Sequence, residues 1–208
     1  MPRKPVISIL HVGVGNIRSV TNAFTHLGWE TELVRTSHDV TRAAALVLPG
    51  VGSFPAAMRS LAAHDLDTPI RDYLRSNRLT LGICLGMELL ADWGAEDGGC
   101  EGLGAVSGSI ERFSDPNLRV PHVGFNTVQL DESSPLFAGL GEARDFYFTH
   151  SYRLATSSDS TGVCDYGGGF VAAVQRGNIL GVQFHPEKSQ RNGLQLLKNF
   201  AEMARSAC

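Results

Sequence analysis

Apolar and polar residues follow two rhythms along the first part of the chain. Val6-Ile7-Ser8-Ile9-Leu10 is a short apolar run bounded by Pro5 and by the Gly-rich His11-Val12-Gly13-Val14-Gly15, which predicts a buried strand running into a tight turn. Asn16 can then cap a helix on which Ile17, Val20, Ala23, Phe24 and Leu27 recur at helical spacing, with Gly28 as its stop. Strands over 31–34, 45–48 and 79–83 alternate with helices over 56–63, 70–76 and 85–93. Such alternation predicts an α/β fold with a mostly parallel sheet flanked by helices on both faces. From about residue 103 to 182 the rhythm changes to short β-like stretches at 120–122, 127–130, 146–149, 170–174 and 179–183, and a helix over 193–204 follows. These stretches predict an antiparallel extension along one edge of the sheet. No composition break, linker or internal repeat interrupts residues 1–208, so a single domain is expected.

Composition narrows the function. With 43% hydrophobic and 19% charged residues the chain reads as globular rather than disordered. A net charge of -3 without any Lys/Arg run argues against nucleic acid or an anionic membrane as partner, and favours a small molecule or another protein. Cys84, Cys100, Cys164 and Cys208 lie far apart with no C-x-x-C pair, so neither a metal site nor a disulfide framework is expected. Reduced thiols in a cytoplasmic setting are the simplest reading. The apolar run at 6–10 is too short for a signal segment or a membrane span. Gly13-x-Gly15 is followed by Arg18 where a dinucleotide fingerprint needs its third glycine, so no nucleotide cofactor is expected.

Three motifs carry chemistry. Gly82-Ile83-Cys84-Leu85-Gly86 places a cysteine between glycines where an apolar strand meets a helix, the pattern of a nucleophile elbow. The sharp turn needs glycine on both sides, and the helix amides favour the thiolate. Gly181-Val182-Gln183-Phe184-His185-Pro186-Glu187 supplies an imidazole; Pro186 biases His185 towards extended backbone, in which Glu187 shares its face and can orient the ring towards Cys84. Leu48-Pro49-Gly50-Val51-Gly52-Ser53 follows the third strand, and its glycines let backbone amides converge, so the Val51 and Leu85 N–H groups are expected to form an oxyanion hole.

Together these motifs resemble the class I, triad-type glutamine amidotransferases. Gly13-Val14-Gly15-Asn16-Ile17-Arg18-Ser19-Val20, Val120-Pro121-His122-Val123-Gly124-Phe125-Asn126, Tyr147-Phe148-Thr149-His150-Ser151-Tyr152 and Gln183-Phe184-His185-Pro186-Glu187-Lys188-Ser189 narrow the likeness to the glutaminase subunits of imidazole glycerol phosphate synthases of histidine biosynthesis. The likeness runs from about residue 6 to 200 and rests on the ordered set of motifs. It implies L-glutamine as substrate, Cys84, His185 and Glu187 as catalytic triad, and Gly52, Glu88, Ser151 and Tyr152 around the substrate's α-amino and α-carboxylate groups. It also implies a heterodimer with a (β/α)8 cyclase subunit that receives the ammonia, with Asn16, His122, Phe125, Tyr147 and Lys188 near the contact. Two positions depart from the pattern. Glu88 stands where the family usually has Gln, and His11-Val12 where many members carry Asp-Tyr. Glu88 lies four residues after Cys84, on the same helix face, where a carboxylate would hold the substrate's ammonium but repel its carboxylate and oppose thiolate formation. Two alternatives stand beside this reading: the same half-reaction serving another synthase, such as one forming an amidine on a surface sugar, and a catalytically weak regulatory subunit.

Overall fold

The computed structural model describes residues 5–13, 16–142 and 144–206; Val14 and Gly15 of the predicted turn, and Cys208, lie outside them. In chain order the elements are β1 (Ile7–Leu10), α1 (Ile17–His26), β2 (Thr31–Val34), α2 (Ser37–Arg42), β3 (Ala45–Gly50), α3 (Phe54–Ala63), α4 (Asp67–Arg75), β4 (Thr80–Cys84) and α5 (Leu85–Leu89). There follow β5 (Trp93–Gly94), β6 (Cys100–Glu101), β7 (Ser109–Arg112), β8 (His122–Leu130), β9 (Asp145–His150), β10 (Tyr152–Leu154), β11 (Ser160–Cys164), β12 (Phe170–Arg176), β13 (Ile179–Val182) and α6 (Gln190–Ser206).

Strands β2, β1, β3, β4 and β13 form a parallel array in that spatial order. Antiparallel β12 and β10 extend it beyond β13, and β11 leads from β12 to the β8–β9 hairpin. The mostly parallel α/β sheet with an antiparallel extension is therefore present, with one correction: the stretch at 179–183, expected in the extension, forms β13 and pairs parallel with β4 inside the central array. Because side chains alternate across a strand, each central strand feeds two cores. Ile7, Ile9, Val47, Leu81 and Ile83 pack with Phe24 of α1 and with Leu197 and Phe200 of α6. Leu10, Leu46 and Leu48 pack on the other face with Phe54 and Leu61 of α3, Ile70 and Leu74 of α4, and Leu85 of α5.

Several boundaries differ from expectation for identifiable reasons. The helix predicted over 85–93 stops at Leu89, because the Leu89, Leu90 and Ala91 carbonyls accept N–H groups of the returning chain at Leu103, Ala105 and Gly104. Helix α2 was not predicted. It holds one buried apolar residue, Val40, so it lacks a periodic signal and relies on a capping box: the Thr36 hydroxyl accepts the Asp39 N–H and the Asp39 carboxylate accepts the Thr36 N–H. Of the stretch expected at 120–122 only His122 is strand; it opens the nine-residue β8, which the ladder to β9 carries across Gly124 into the expected 127–130 stretch. Strand β3 continues through Pro49 and Gly50, which stand opposite Ile83 and Cys84 of β4.

Candidate active site

Register brings the three motifs to the carboxyl ends of the central strands. Strand β4 delivers Cys84 between β3, whose Gly50 is its neighbour, and β13, whose Val182 pairs with Ile83. Cys84 has φ +52, a left-handed conformation uncommon for a residue with a Cβ. The turn tolerates nothing larger than glycine beside it: a Cβ on Gly86 would stand 1.7 Å from the Leu48 carbonyl oxygen, and one on Gly82 2.6 Å from the Gly86 oxygen. These contacts explain why the elbow is written G-x-C-x-G.

Beyond β13 the chain places Gln183 beside the cysteine, with Nε2 3.9 Å from Sγ, and the Thr149 carbonyl of β9 lies 4.0 Å from Sγ on another side. His185 follows in extended backbone and donates its N–H to the Tyr147 carbonyl at 2.8 Å. Its Nδ1 lies 2.8 Å from Glu187 Oε1, a carboxylate acceptor, so Nδ1 donates in that bond. His185 Nε2 is buried and, among the described residues, has no hydrogen-bond partner, Cys84 Sγ included. The pairing of His185 with Glu187 is as expected, but its geometry is not that of continuous extended chain. Pro186–Lys188 form a 3-10 turn, and the Ser189 hydroxyl, donating to the His185 carbonyl at 2.6 Å, closes it.

A cavity of about 370 Å³ opens on Cys84 and is lined by Val51, Gly52, Leu85, Glu88, Ser151 and Tyr152, every one an expected substrate or oxyanion residue. It is also lined by Glu96, Thr149 and His150, which sequence reasoning missed. Glu96 comes from a 3-10 turn after β5, Glu96–Gly98, and accepts the Phe54 N–H at the start of α3 at 2.7 Å. No local motif marks it. Gln183 could have been found, because it lies two residues before His185 and so shares its face in extended chain.

The electrostatics correct one expectation. The Cys84 thiol is raised above its ordinary value, by burial first and then by the Glu88 carboxylate, with Glu187 adding to both; the Leu85 N–H and Gln183 oppose this without cancelling it. Helix α5 spans only five residues, so its amides do not make Cys84 a resting thiolate. Burial also pushes the Glu88 carboxyl up to about 7, with the Glu96 charge adding to the shift and the hydrogen bond from Gln183 Nε2, 2.8 Å from Glu88 Oε1, opposing it.

Of the residues expected near a partner contact, Phe125, Tyr147 and Lys188 form one cluster. The Phe125 and Tyr147 rings lie 5.6 Å apart, and the Lys188 ammonium sits 5.6 Å over Tyr147. Phe125 and its neighbour Val123 are 47% and 57% exposed. Asn16 caps α1, which packs against the 186–188 turn. His122 does not belong to that surface. It is buried between the Tyr166 and Phe148 rings, because β8–β9 pairing sets it opposite His150 and turns it inward.

The model of the class I glutamine amidotransferases matches residues 8–204, and the chain belongs to that class. The imidazole glycerol phosphate synthase subunit HisH of Moorella thermoacetica is 41% identical over 203 residues, which cover 97% of this chain and 96% of that protein. Within the class the chain belongs to the HisH family. The chloroplastic imidazole glycerol phosphate synthase hisHF of Arabidopsis thaliana is 40% identical over 94% of this chain and 34% of that protein. A solved glutamine amidotransferase structure shares the fold with TM-score 0.75 at 21% identity, over 95% of this chain and 98% of that one. No helix among the described residues is long and apolar enough to cross a membrane.

Proposed function

We propose that this chain is the glutaminase subunit of an imidazole glycerol phosphate synthase, hydrolysing L-glutamine to glutamate and ammonia for a (β/α)8 cyclase partner in the cytoplasm. The observation that carries the reading is the strained Cys84 lining a cavity, in a fold whose next strand leads to a buried His185–Glu187 pair with the imidazole Nε2 unpartnered. The names of the relatives supply the synthase. A match to only 34% of the hisHF protein is consistent with a second unit carried in that single polypeptide.

The reaction follows from the groups present. Since Cys84 rests as a thiol, its proton passes to His185 Nε2 as the sulphur attacks the γ-amide carbon. The oxygen that becomes negative is received by the Val51 and Leu85 N–H groups. Collapse of the tetrahedral species breaks the C–N bond; His185 gives its proton to the departing nitrogen, and ammonia leaves. The γ-glutamyl thioester is then hydrolysed by water, with His185 as base, releasing glutamate and restoring the thiol. Glu187 holds the ring in the required tautomer and stabilises its charged form. Gly52, Glu88, Glu96, Ser151 and Tyr152 hold the α-end of the substrate, and Asn16, Phe125, Tyr147 and Lys188 lie at the partner contact.

Purification of the chain from its source organism tests the assignment: the co-purifying partner should be a (β/α)8 cyclase, and a synthase of other chemistry would redirect it. The complex also carries a prediction. Val51 is 38% exposed on a loop where Gly52 has φ +117, so the oxyanion donor depends on a segment without ladder support, and partner contact can bias it. The isolated chain should release ammonia from glutamine roughly 10- to 100-fold more slowly than the complex. Equal rates at saturating partner would remove the case for such coupling.

A further inference from the structure

The substrate cavity carries its charge with one sign. Glu88 and Glu96 line it, and among the described residues no lysine or arginine does. His150 contributes no positive charge, because burial lowers it to about 3. Glu88 reaches the cavity from α5 and is 6% exposed, while Glu96 reaches it from the 3-10 turn after β5, anchored by the Phe54 N–H. The groups that face Glu88 are Cys84 on its own segment, the neutral amide of Gln183 beyond β13, Glu96 on the 3-10 turn, and the Tyr152 phenol of β10, with Arg112 of β7 and Asp97 of the same 3-10 turn both felt at Tyr152. A free amino acid brings one cation and one anion to this end of the cavity. Two carboxylates match the first and oppose the second.

We propose that Glu88 is a specificity-determining residue which, together with Glu96, makes this site select its substrate by the α-ammonium group and penalise the α-carboxylate. The inference rests on the glutaminase reading and names what that site prefers: a γ-amide whose α-carboxylate has been neutralised escapes a penalty that glutamine itself incurs. Because Glu88 is held up to about 7, the penalty is small when the carboxyl is protonated and complete once it ionises, so selectivity changes across neutral pH. A glutamine at position 88 would keep an oxygen for the Gln183 N–H and remove the charge.

The test compares L-glutamine with its α-N-methylamide, from which only the γ-amide can release ammonia. The complex of this chain with its co-purifying synthase is assayed for ammonia, with the parent protein and Glu88→Gln side by side, and the ratio of kcat/KM for the two substrates is the readout. Effects of Glu88 on the Cys84 thiol act on both substrates and cancel in that ratio, as does titration of the substrate amine when the two proteins are compared. At about pH 8 the preference for glutamine over the N-methylamide should be roughly five- to tenfold greater in Glu88→Gln than in the parent, and at about pH 6 the gap should close to within about twofold. Equal ratios in the two proteins at the higher pH, a smaller ratio in the variant, or a gap that does not narrow on acidification would each overturn the proposal. Hydrolysis of neither substrate by either protein would instead refute the glutaminase reading, and this inference with it.

Discussion

Replacing Cys84 with alanine should lower glutamine-dependent synthesis by the complex by at least about three orders of magnitude while leaving ammonia-dependent synthesis near the parent rate. The separation follows from where the thiol acts. On the proposed function Cys84, the one thiol among the described residues that lines the cavity, forms the γ-glutamyl thioester, and without it water would have to attack an unactivated amide. On the proposed function the partner consumes ammonia, so ammonium supplied in solution should bypass the lesion. Small truncation at the elbow should not unfold the chain, because the tight contacts of the turn are made by Gly82 and Gly86 and not by the sulphur. Parallel assays with glutamine and with ammonium salts on one preparation give the answer. Parent activity with glutamine would remove Cys84 as nucleophile, and equal loss with both nitrogen sources would show that the change damages assembly instead.

What could be read from the sequence was what local pattern encodes. Alternating runs marked the parallel strands β1 to β4 but not β13, whose parallel pairing to β4 is set by the fold, and the glycines around Cys84 report a steric constraint that survives as a spelling: any Cβ at position 86 meets the Leu48 carbonyl. His185, Pro186 and Glu187 were legible because the pair lies within one short segment. Residues that enter the site through pairing of distant strands were not. Glu96 is an unremarkable acid on a loop until the chain folds it against α3, and His150 meets His122 only through the β8–β9 register. The end of α5 was hidden for the same reason, since its carbonyls are claimed by residues 103–105. Even the state of Cys84 depended on tertiary structure: the opposition of Glu88 to a thiolate is legible from its place one turn away, but burial, the larger cause that keeps the proton on sulphur, appears only in the fold.

The buried histidine pair makes the fold sensitive to mild acid. His150 Nδ1 lies 2.7 Å from the Tyr152 carbonyl, which can only accept, so Nε2 is the acceptor in its neutral ring. His122 must then donate from Nδ1, 2.9 Å away, and accept the Asn126 amide at Nε2, also at 2.9 Å. A proton added to either ring leaves two donors facing one another. Burial lowers His122 to about 4, and burial together with the neighbouring His122 and His185 lowers His150 to about 3, against the Tyr152 bond. Both stay neutral in the fold while the unfolded chain takes up protons near 6.5, so stability present above that pH is lost as pH falls towards the folded values. Glu88 acts in the opposite sense, because its raised value lets the folded protein hold a proton between about 7 and 4.5 that the unfolded chain releases. Asp39, Asp131 and Asp159 are lowered from ordinary carboxyl values and matter only at lower pH. With two histidines against one carboxyl, and about 1.4 kcal/mol per proton per pH unit, the parent protein should lose about 1.5 kcal/mol between pH 7.5 and 5. Glu88→Gln removes the opposing group, and its loss over the same interval should grow to about 4 kcal/mol. Denaturant titrations of both proteins at the two pH values measure the difference directly. Stability that is flat with pH in both would mean that the two imidazoles are not held neutral by the fold.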